Sequence, residues 1–272
     1  MIDTILVHVA IAAFAAAATL GFESVRRRRA DLMLSARGVT GAAVLVTIAV
    51  LLRRGVELGA FPVVSLYETH LFIAALLSAV AVVMDMARRL PILTVGAAPL
   101  SFLSLLVGAL VGHAEGPPSE MVKSAWSGLH VLAVLAAYSA FGLAFVSGVL
   151  YLIEQRQLKA HAAPDALGVL PSLETCRRLT VGAMAVGVGL LTAGIVVGYL
   201  YARRVSLPHG WRLDPKVWGA TLTWAVYLVA LGLSFVPAFR GRRTAMASVA
   251  CFVVVMVTFW AAAFWSNFHR FL

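Results

Sequence analysis

Apolar positions run almost unbroken for about twenty residues at a time along this chain, and short polar, arginine-bearing or proline-bearing segments separate the runs. Eight such runs cover 5–22, 34–52, 66–84, 92–111, 129–153, 179–201, 217–236 and 245–265. A helix of roughly 20 residues rises far enough to cross about 30 Å of hydrocarbon. A spanning segment must satisfy its own backbone hydrogen bonds, and none of the runs shows the two-residue alternation of a barrel strand. The pattern therefore predicts an all-α fold: a polytopic integral membrane bundle of eight transmembrane helices. The second run is the weakest, because Arg37 stands near its start.

Composition agrees, with 61% hydrophobic and 12% charged residues and a mean hydropathy of +0.93 in 272 residues. No stretch is left over for a separate soluble domain, so 1–272 is expected to form a single transmembrane domain. Met1-Ile-Asp-Thr precedes Ile5 directly, without a basic leader or a small-residue cleavage pattern, and the first span is expected to be retained.

The net charge of +10 sits between spans. Connections carrying Arg26 to Arg29 with Arg37, Arg88 with Arg89, Arg156, Lys159, Arg177, Arg178, Arg240, Arg242 and Arg243 hold fourteen basic residues, and the alternate set holds eight. The richer set is assigned to the cytoplasm, which puts both termini on the outer, extracytoplasmic side. Orientation and anionic lipid account for this charge, and no nucleic-acid partner is indicated. Cys176 and Cys251 lie in no C-x-x-C or C-x-x-C-H spacing, which excludes a covalent c-type cytochrome and argues against a disulfide.

Gly182, Gly187, Gly194 and Gly198 give the sixth span small-xxx-small spacings that favour close helix packing. The longer cytoplasmic connection, about 154–178, is expected to hold an interfacial helix over 164–178, with Leu167, Leu170 and Leu173 set against Glu174, Arg177 and Arg178. No internal repeat is evident.

Under this topology the outer side is chemically lopsided. Trp126, Trp211 and Trp218 lie in or beside outer connections, and Trp224, Trp260 and Trp265 fall in the outer halves of the last two spans. An interfacial aromatic belt would populate both sides, whereas one-sided tryptophan points to a platform for a flat, partly apolar ligand. Six of seven histidines share that side: His113 and His209 in loops, His130 and His269 at the outer ends of the fifth and eighth spans, and His8 and His70 a turn or two inside. Only His161 is cytoplasmic. Any one interfacial histidine is more often solvated or bonded to backbone than a metal ligand. Two imidazoles at the ends of different helices, however, suit the two axial positions of a haem iron. His70 reads as a hydrogen-bonding residue at a span mouth. His8 is expected to face the bundle interior, as a packing contact or a second ligand site.

The outer loop at about 202–216 also carries Arg203, Arg204, Arg212 and Lys216, against the orientation rule. Two porphyrin propionates or lipid phosphates would equally satisfy them.

The run Trp211-Arg-Leu-Asp214-Pro215-Lys216-Val217-Trp218, continuing through Thr223, Trp224 and Tyr227, resembles the tryptophan-rich haem-handling motif of the cytochrome c assembly protein family of CcsA/HemX type. Gly128-Leu129-His130-Val131 followed by Ala137-Tyr138-Ser139 resembles that family's first outer histidine, and Ser266-Asn267-Phe268-His269 its second. Phe61-Pro62 and Ser65-Leu66-Tyr67-Glu68-Thr69 resemble its entry to an early span. The likeness covers most of the chain, in the right order.

It implies a protein of the bacterial inner (cytoplasmic) membrane that binds non-covalent haem b, with His130 and His269 as axial ligands of the iron. Trp211, Asp214, Trp218, Trp224, Arg212 and Lys216 would form the rest of the cofactor site. The implied function is haem delivery or attachment to apocytochrome c in a haem-attachment system, with a second membrane assembly subunit as partner. The motif departs from the fuller pattern at Val217, where Glu is expected, and in lacking a histidine shortly after Tyr227. The resemblance is therefore closer to the HemX branch. Two further readings stay open: a membrane regulator of haem biosynthesis acting through inner loops, and a small-molecule transporter. The transporter is disfavoured by the absence of repeats and of deep intramembrane charge.

Overall fold

The computed structural model describes residues 2–112, 123–160, 171–205 and 211–265, with side chains through 261. Among these residues every regular element is helical: α1 (Ile2–Arg27), α2 (Ala30–Leu58), α3 (Leu66–Arg88), α4 (Pro91–Val111), α5 (Ala125–Lys159), α6 (Leu173–Arg204), α7 (Pro215–Ser234) and α8 (Arg242–Trp265). Single 3-10 turns at Trp211–Leu213 and Pro237–Phe239 precede α7 and α8. All eight long helices are apolar enough to cross a membrane, so this is a multi-pass helical membrane protein.

Several helices overrun their apolar stretches. α6 is 32 residues long and starts at Leu173, capped by the Ser172 hydroxyl on the Thr175 amide. Residues 173–178 are thus the first turns of a spanning helix and not part of a separate interfacial one. Glu174 bonding Arg177 and Arg178 supports those turns, three and four residues on. The rest of that expected helix, 164–170, lies outside the described residues.

Consecutive helices pair as hairpins, α1 with α2, α3 with α4, α5 with α6 and α7 with α8, and further contacts join α1 to α4, α2 to α3, α3 to α5 and α5 to α8. Half of the apolar stretch of α5 is buried, against 28% in α1, α7 and α8, which makes α5 the central helix. One core lies among α1 to α4 around Phe14, Leu71 and Leu105; the other runs from α3 to α8 around Phe141, Met184, Leu191 and Tyr227. Leu45 and Leu110 remain 70% and 78% exposed, as lipid-facing residues do.

Many polar groups inside the bundle are matched by their own helix or a neighbouring one. Thr40, Thr47, Ser139, Ser147 and Thr180 each donate to the carbonyl four residues back. α3 is tied to α2 by an ion pair at each end, Glu68 with Arg54 at one and Asp85 with Arg37 at the other. Both carboxylates are buried, so each is held by its arginine and by hydroxyl donors, Ser65 and Thr94 respectively. The alternating pairing collects the first turns of α3, α5 and α7 and the last turns of α2, α4 and α6 at one end, the tryptophan end. The opposite end carries the arginine-rich turns. Two of these, at Arg28 and Arg89, close with left-handed φ values of 56° and 54°, the conformation that commonly ends a helix.

Candidate functional site

At the tryptophan end, α5 begins one turn before His130. The half-buried imidazole leans on α6, where Nδ1 lies 2.7 Å from the carbonyl oxygen of Gly194. A carbonyl can only accept, so Nδ1 carries the proton and Nε2 keeps its lone pair. Nε2 has no partner among the described residues. This is the arrangement that orients a ligating histidine: one ring nitrogen anchored to backbone, the other left basic.

The glycines of α6 make the seat. A β-carbon on Gly198 would stand 2.6 Å from His130 Nδ1, one on Gly194 would meet Val134 at 2.8 Å, and one on Gly187 would strike the Phe141 ring at 2.3 Å. Gly182 faces nothing within 4 Å and takes no part in the seam, contrary to its place in the small-residue spacing.

Tryptophan and arginine cluster around that seat. Trp126 lies one helical turn from His130, and the Arg204 guanidinium sits 4.8 Å above its ring. Tyr199, next to Gly198, contacts Trp211 at 6.3 Å between centroids, and Arg212 lies 5.5 Å from the Trp211 ring. Trp218, on the first turn of α7, is 59% exposed. The end of α6 therefore brings His130, Trp126, Trp211, Arg204 and Arg212 into one neighbourhood.

Other motif residues make contacts that start α7 and hold it to its neighbours. Asp214 is buried and caps α7, its Oδ1 accepting from the Lys216 amide at 2.8 Å, with Pro215 at the first helical position. Trp224 lies about 15 Å along α7 from Asp214. Its indole donates to the Thr192 hydroxyl of α6 at 2.8 Å. Tyr227 is fully buried and stacks on Phe141 with centroids 3.6 Å apart. Trp224 and Tyr227 thus strap α7 to α5 and α6, below the layer of Trp211.

His70 is buried, with Nδ1 at 3.1 Å from the Ser104 hydroxyl, as its place at a span mouth led one to expect. His8 departs from expectation. It is exposed on α1 rather than facing the interior, and its Nδ1 reaches the Thr4 carbonyl of its own helix at 2.6 Å. Near the end of a span an imidazole meets its hydrogen-bonding needs that way without entering the bundle. His113, His161, His209 and His269 lie outside the described residues, as does the side chain of Trp265.

Sequence reading passed over three features. The Ser65-x-x-Glu68 spacing is a capping box, and Glu68 bonds the Ser65 amide at 2.9 Å and the Arg54 guanidinium at 2.8 Å. That element shapes the approach of Phe61, which lies against Gly128 two residues before His130. The Gly198 seat and the stacking of Trp260 on His70 left no local signal. A cleft of about 300 Å³ at the arginine end, lined by Ser24, Arg28, Arg29, Met33 and Arg89, has no histidine or tryptophan on its walls.

The His130 neighbourhood and the Asp-Pro-Lys start of α7 fall within residues 63–269, which match the model of the family described as cytochrome C assembly protein. The chain belongs to that family. It is 25% identical to Protein HemX of Bacillus subtilis (strain 168) over 221 residues, 78% of each chain. It is also 26% identical to the cytochrome c biogenesis protein CcsA of Guillardia theta, over 79% of this chain and 77% of that one. A CcsA protein of Prochlorococcus marinus (strain MIT 9303) is 24% identical over 79% and 76%. Membership of the CcsA/HemX family and a multi-pass membrane bundle are thereby established.

Proposed function

We propose that this family member binds haem at the tryptophan end of the bundle and holds it there for delivery to apocytochrome c. The observation that carries the reading is the fixed tautomer of His130: Nδ1–H donates to the Gly194 carbonyl, so Nε2 is presented as a basic ligand. His269, which follows α8, is proposed as the second axial ligand, and together they would hold iron in a six-coordinate haem b.

The surroundings fit such a ligand. Trp126, Trp211 and the exposed Trp218 offer flat apolar surface, and Arg204 and Arg212 offer charge for two propionates, with Lys216 proposed beside them at the start of α7. Asp214 acts by starting α7, and Trp224 by fixing α7 against α6. Haem supplies the iron and the vinyl groups for attachment; the protein's part is to orient the ring, exclude competing iron ligands and leave one edge open to the partner. A second assembly subunit that recruits apocytochrome completes this reading. The basic turns support an orientation with the tryptophan end on the outer side of the bacterial inner membrane.

Expression under haem-replete conditions, purification in detergent and absorption spectroscopy test it, with His130→Ala and His269→Ala side by side. The expected result is a bis-imidazole spectrum in the wild type that is lost or converted in either variant. A wild-type protein without haem would overturn the proposal.

A further inference from the structure

At the arginine end, the turn joining α1 to α2 and the turn joining α3 to α4 line opposite parts of one cleft, about 300 Å³ in volume. Its floor is tight. A β-carbon on Gly21, one turn before Ser24, would stand 2.9 Å from a Val95 methyl carbon, so α1 presses on α4 there and the cleft opens one turn beyond that contact. Pro171, just before the Ser172 cap of α6, closes one wall. Each turn is closed by an arginine in the left-handed conformation, Arg28 with φ 56° and Arg89 with φ 54°. Glycine or asparagine is the ordinary residue in that place, because a β-carbon disfavours it. Here both residues are cationic, and both line the cleft.

The acidic residues of these turns are already engaged. Glu23 pairs with Arg26 and Arg27, Asp31 with Arg29, and the buried Asp85 with Arg37 and the Thr94 hydroxyl. Arg28 and Arg89 have no hydrogen-bond or ion-pair partner among the described residues. Two helix starts add to the positive character. Neither Arg29 nor Leu90 caps the helix that follows it through a side chain, and Ala30 and Ile92, in the first turns of α2 and α4, line the cleft. The negative ends of α1 and α3 are met by Arg26, Arg27 and Arg88 in their last turns. A recess that holds two unpaired guanidiniums between two uncapped helix starts is built to receive an anion.

Apolar surface continues to within two turns of it. Phe22 and Met86 are 68% and 67% exposed, six and three residues before the two arginines, and Leu34 is 59% exposed one turn after Ala30. An anion between Arg28 and Arg89 therefore stands where hydrocarbon gives way to water. We propose that this cleft binds an anionic phospholipid of the arginine-side leaflet, its phosphate diester held by the Arg28 and Arg89 guanidiniums and its acyl chains lying on the exposed apolar faces of α1 to α3. The planar fork of an arginine matches phosphate oxygens, and a basic recess between spanning helices is a setting in which lipid headgroups are held. A soluble phosphate would use the charge and leave the apolar surface unused. A lipid bound this way ties the α1–α2 hairpin to the α3–α4 hairpin at the end opposite His130.

The test uses the full chain in detergent, titrated with phosphatidylglycerol, phosphatidylcholine or inorganic phosphate and followed by native mass spectrometry. Wild type is compared with Arg28→Gly/Arg89→Gly, with Arg28→Gln/Arg89→Gln and with Arg177→Gln/Arg178→Gln. The last removes the same charge from the same end, but from residues already paired with Glu174. Glycine relieves the left-handed turns, so that variant removes the charge without weakening the fold. Expected are a preference of wild type for phosphatidylglycerol over phosphatidylcholine of roughly tenfold or more, a loss of phosphatidylglycerol binding of similar size in both cleft variants, and wild-type binding in Arg177→Gln/Arg178→Gln. Equal binding of the two lipids by wild type, retained binding in the cleft variants, a loss confined to the glycine variant, or an equal loss in Arg177→Gln/Arg178→Gln overturns the proposal. Displacement of the lipid by inorganic phosphate overturns it as well, since the occupant would then be a free anion. None of these outcomes depends on haem.

Discussion

The His130 imidazole occupies the space that a β-carbon on Gly198 would need, with Nδ1 only 2.6 Å from that point. Glycine at 198 is therefore a condition for the hydrogen bond to the Gly194 carbonyl, and through it for the direction in which Nε2 points. Substituting Gly198→Ala should displace the ring and lower haem affinity, with overpacking costing about 1–3 kcal/mol of stability. Gly182→Ala, at a position with open space, should leave both unchanged. Haem titration and thermal unfolding in detergent check the pair; equal affinity in the two variants would remove the seat from the argument.

Glu68 is fully buried between Arg54 and the Ser65 cap. Removing it leaves the 16% exposed Arg54 side chain without its main partner and opens the first turn of α3. Glu68→Ala should destabilise by roughly 3–5 kcal/mol, as loss of one member of a buried pair does. Replacing both residues, Glu68→Leu with Arg54→Met, should cost less than Glu68→Ala alone. Denaturant titration in mixed micelles measures the order.

Trp224 and Thr192 give a cycle. Trp224→Phe and Thr192→Val each remove the 2.8 Å hydrogen bond between α7 and α6, and each should cost about 1 kcal/mol for that bond. The double variant should lose the bond only once, so the effects are expected to be less than additive. Additive losses would show that the two act separately.

Asp214 separates a cap from a cofactor contact. Asp214→Ala should weaken the start of α7 by about 1 kcal/mol, and Asp214→Asn or Asp214→Ser should restore most of it. If Asn restores stability and the haem spectrum together, the carboxylate works through the helix start alone. A spectrum that stays altered in Asp214→Asn would assign the charge a direct part.

Much of this protein is written in the order of its residues. Run length and apolarity determine eight membrane-crossing helices because a chain in lipid has no other way to satisfy its backbone. Two local signals were present but went unread: Ser65-x-x-Glu68 and Asp214-Pro215 start helices through bonds spanning three residues or fewer. Helix ends were less legible, since α5 and α6 continue past the apolar stretches that reveal them. What lay beyond sequence is which side chain each helix face meets. His8 and His70 sit at similar depths in their spans, yet one is exposed and bonds its own helix while the other is buried beneath Ser104, Gly108 and Trp260. The tautomer of His130 is likewise settled by Gly194, 64 positions away, and the polar partner of His70 is Ser104, 34 positions away. Contacts of that range depend on how helices rotate and pack against one another, and only the assembled bundle sets that rotation.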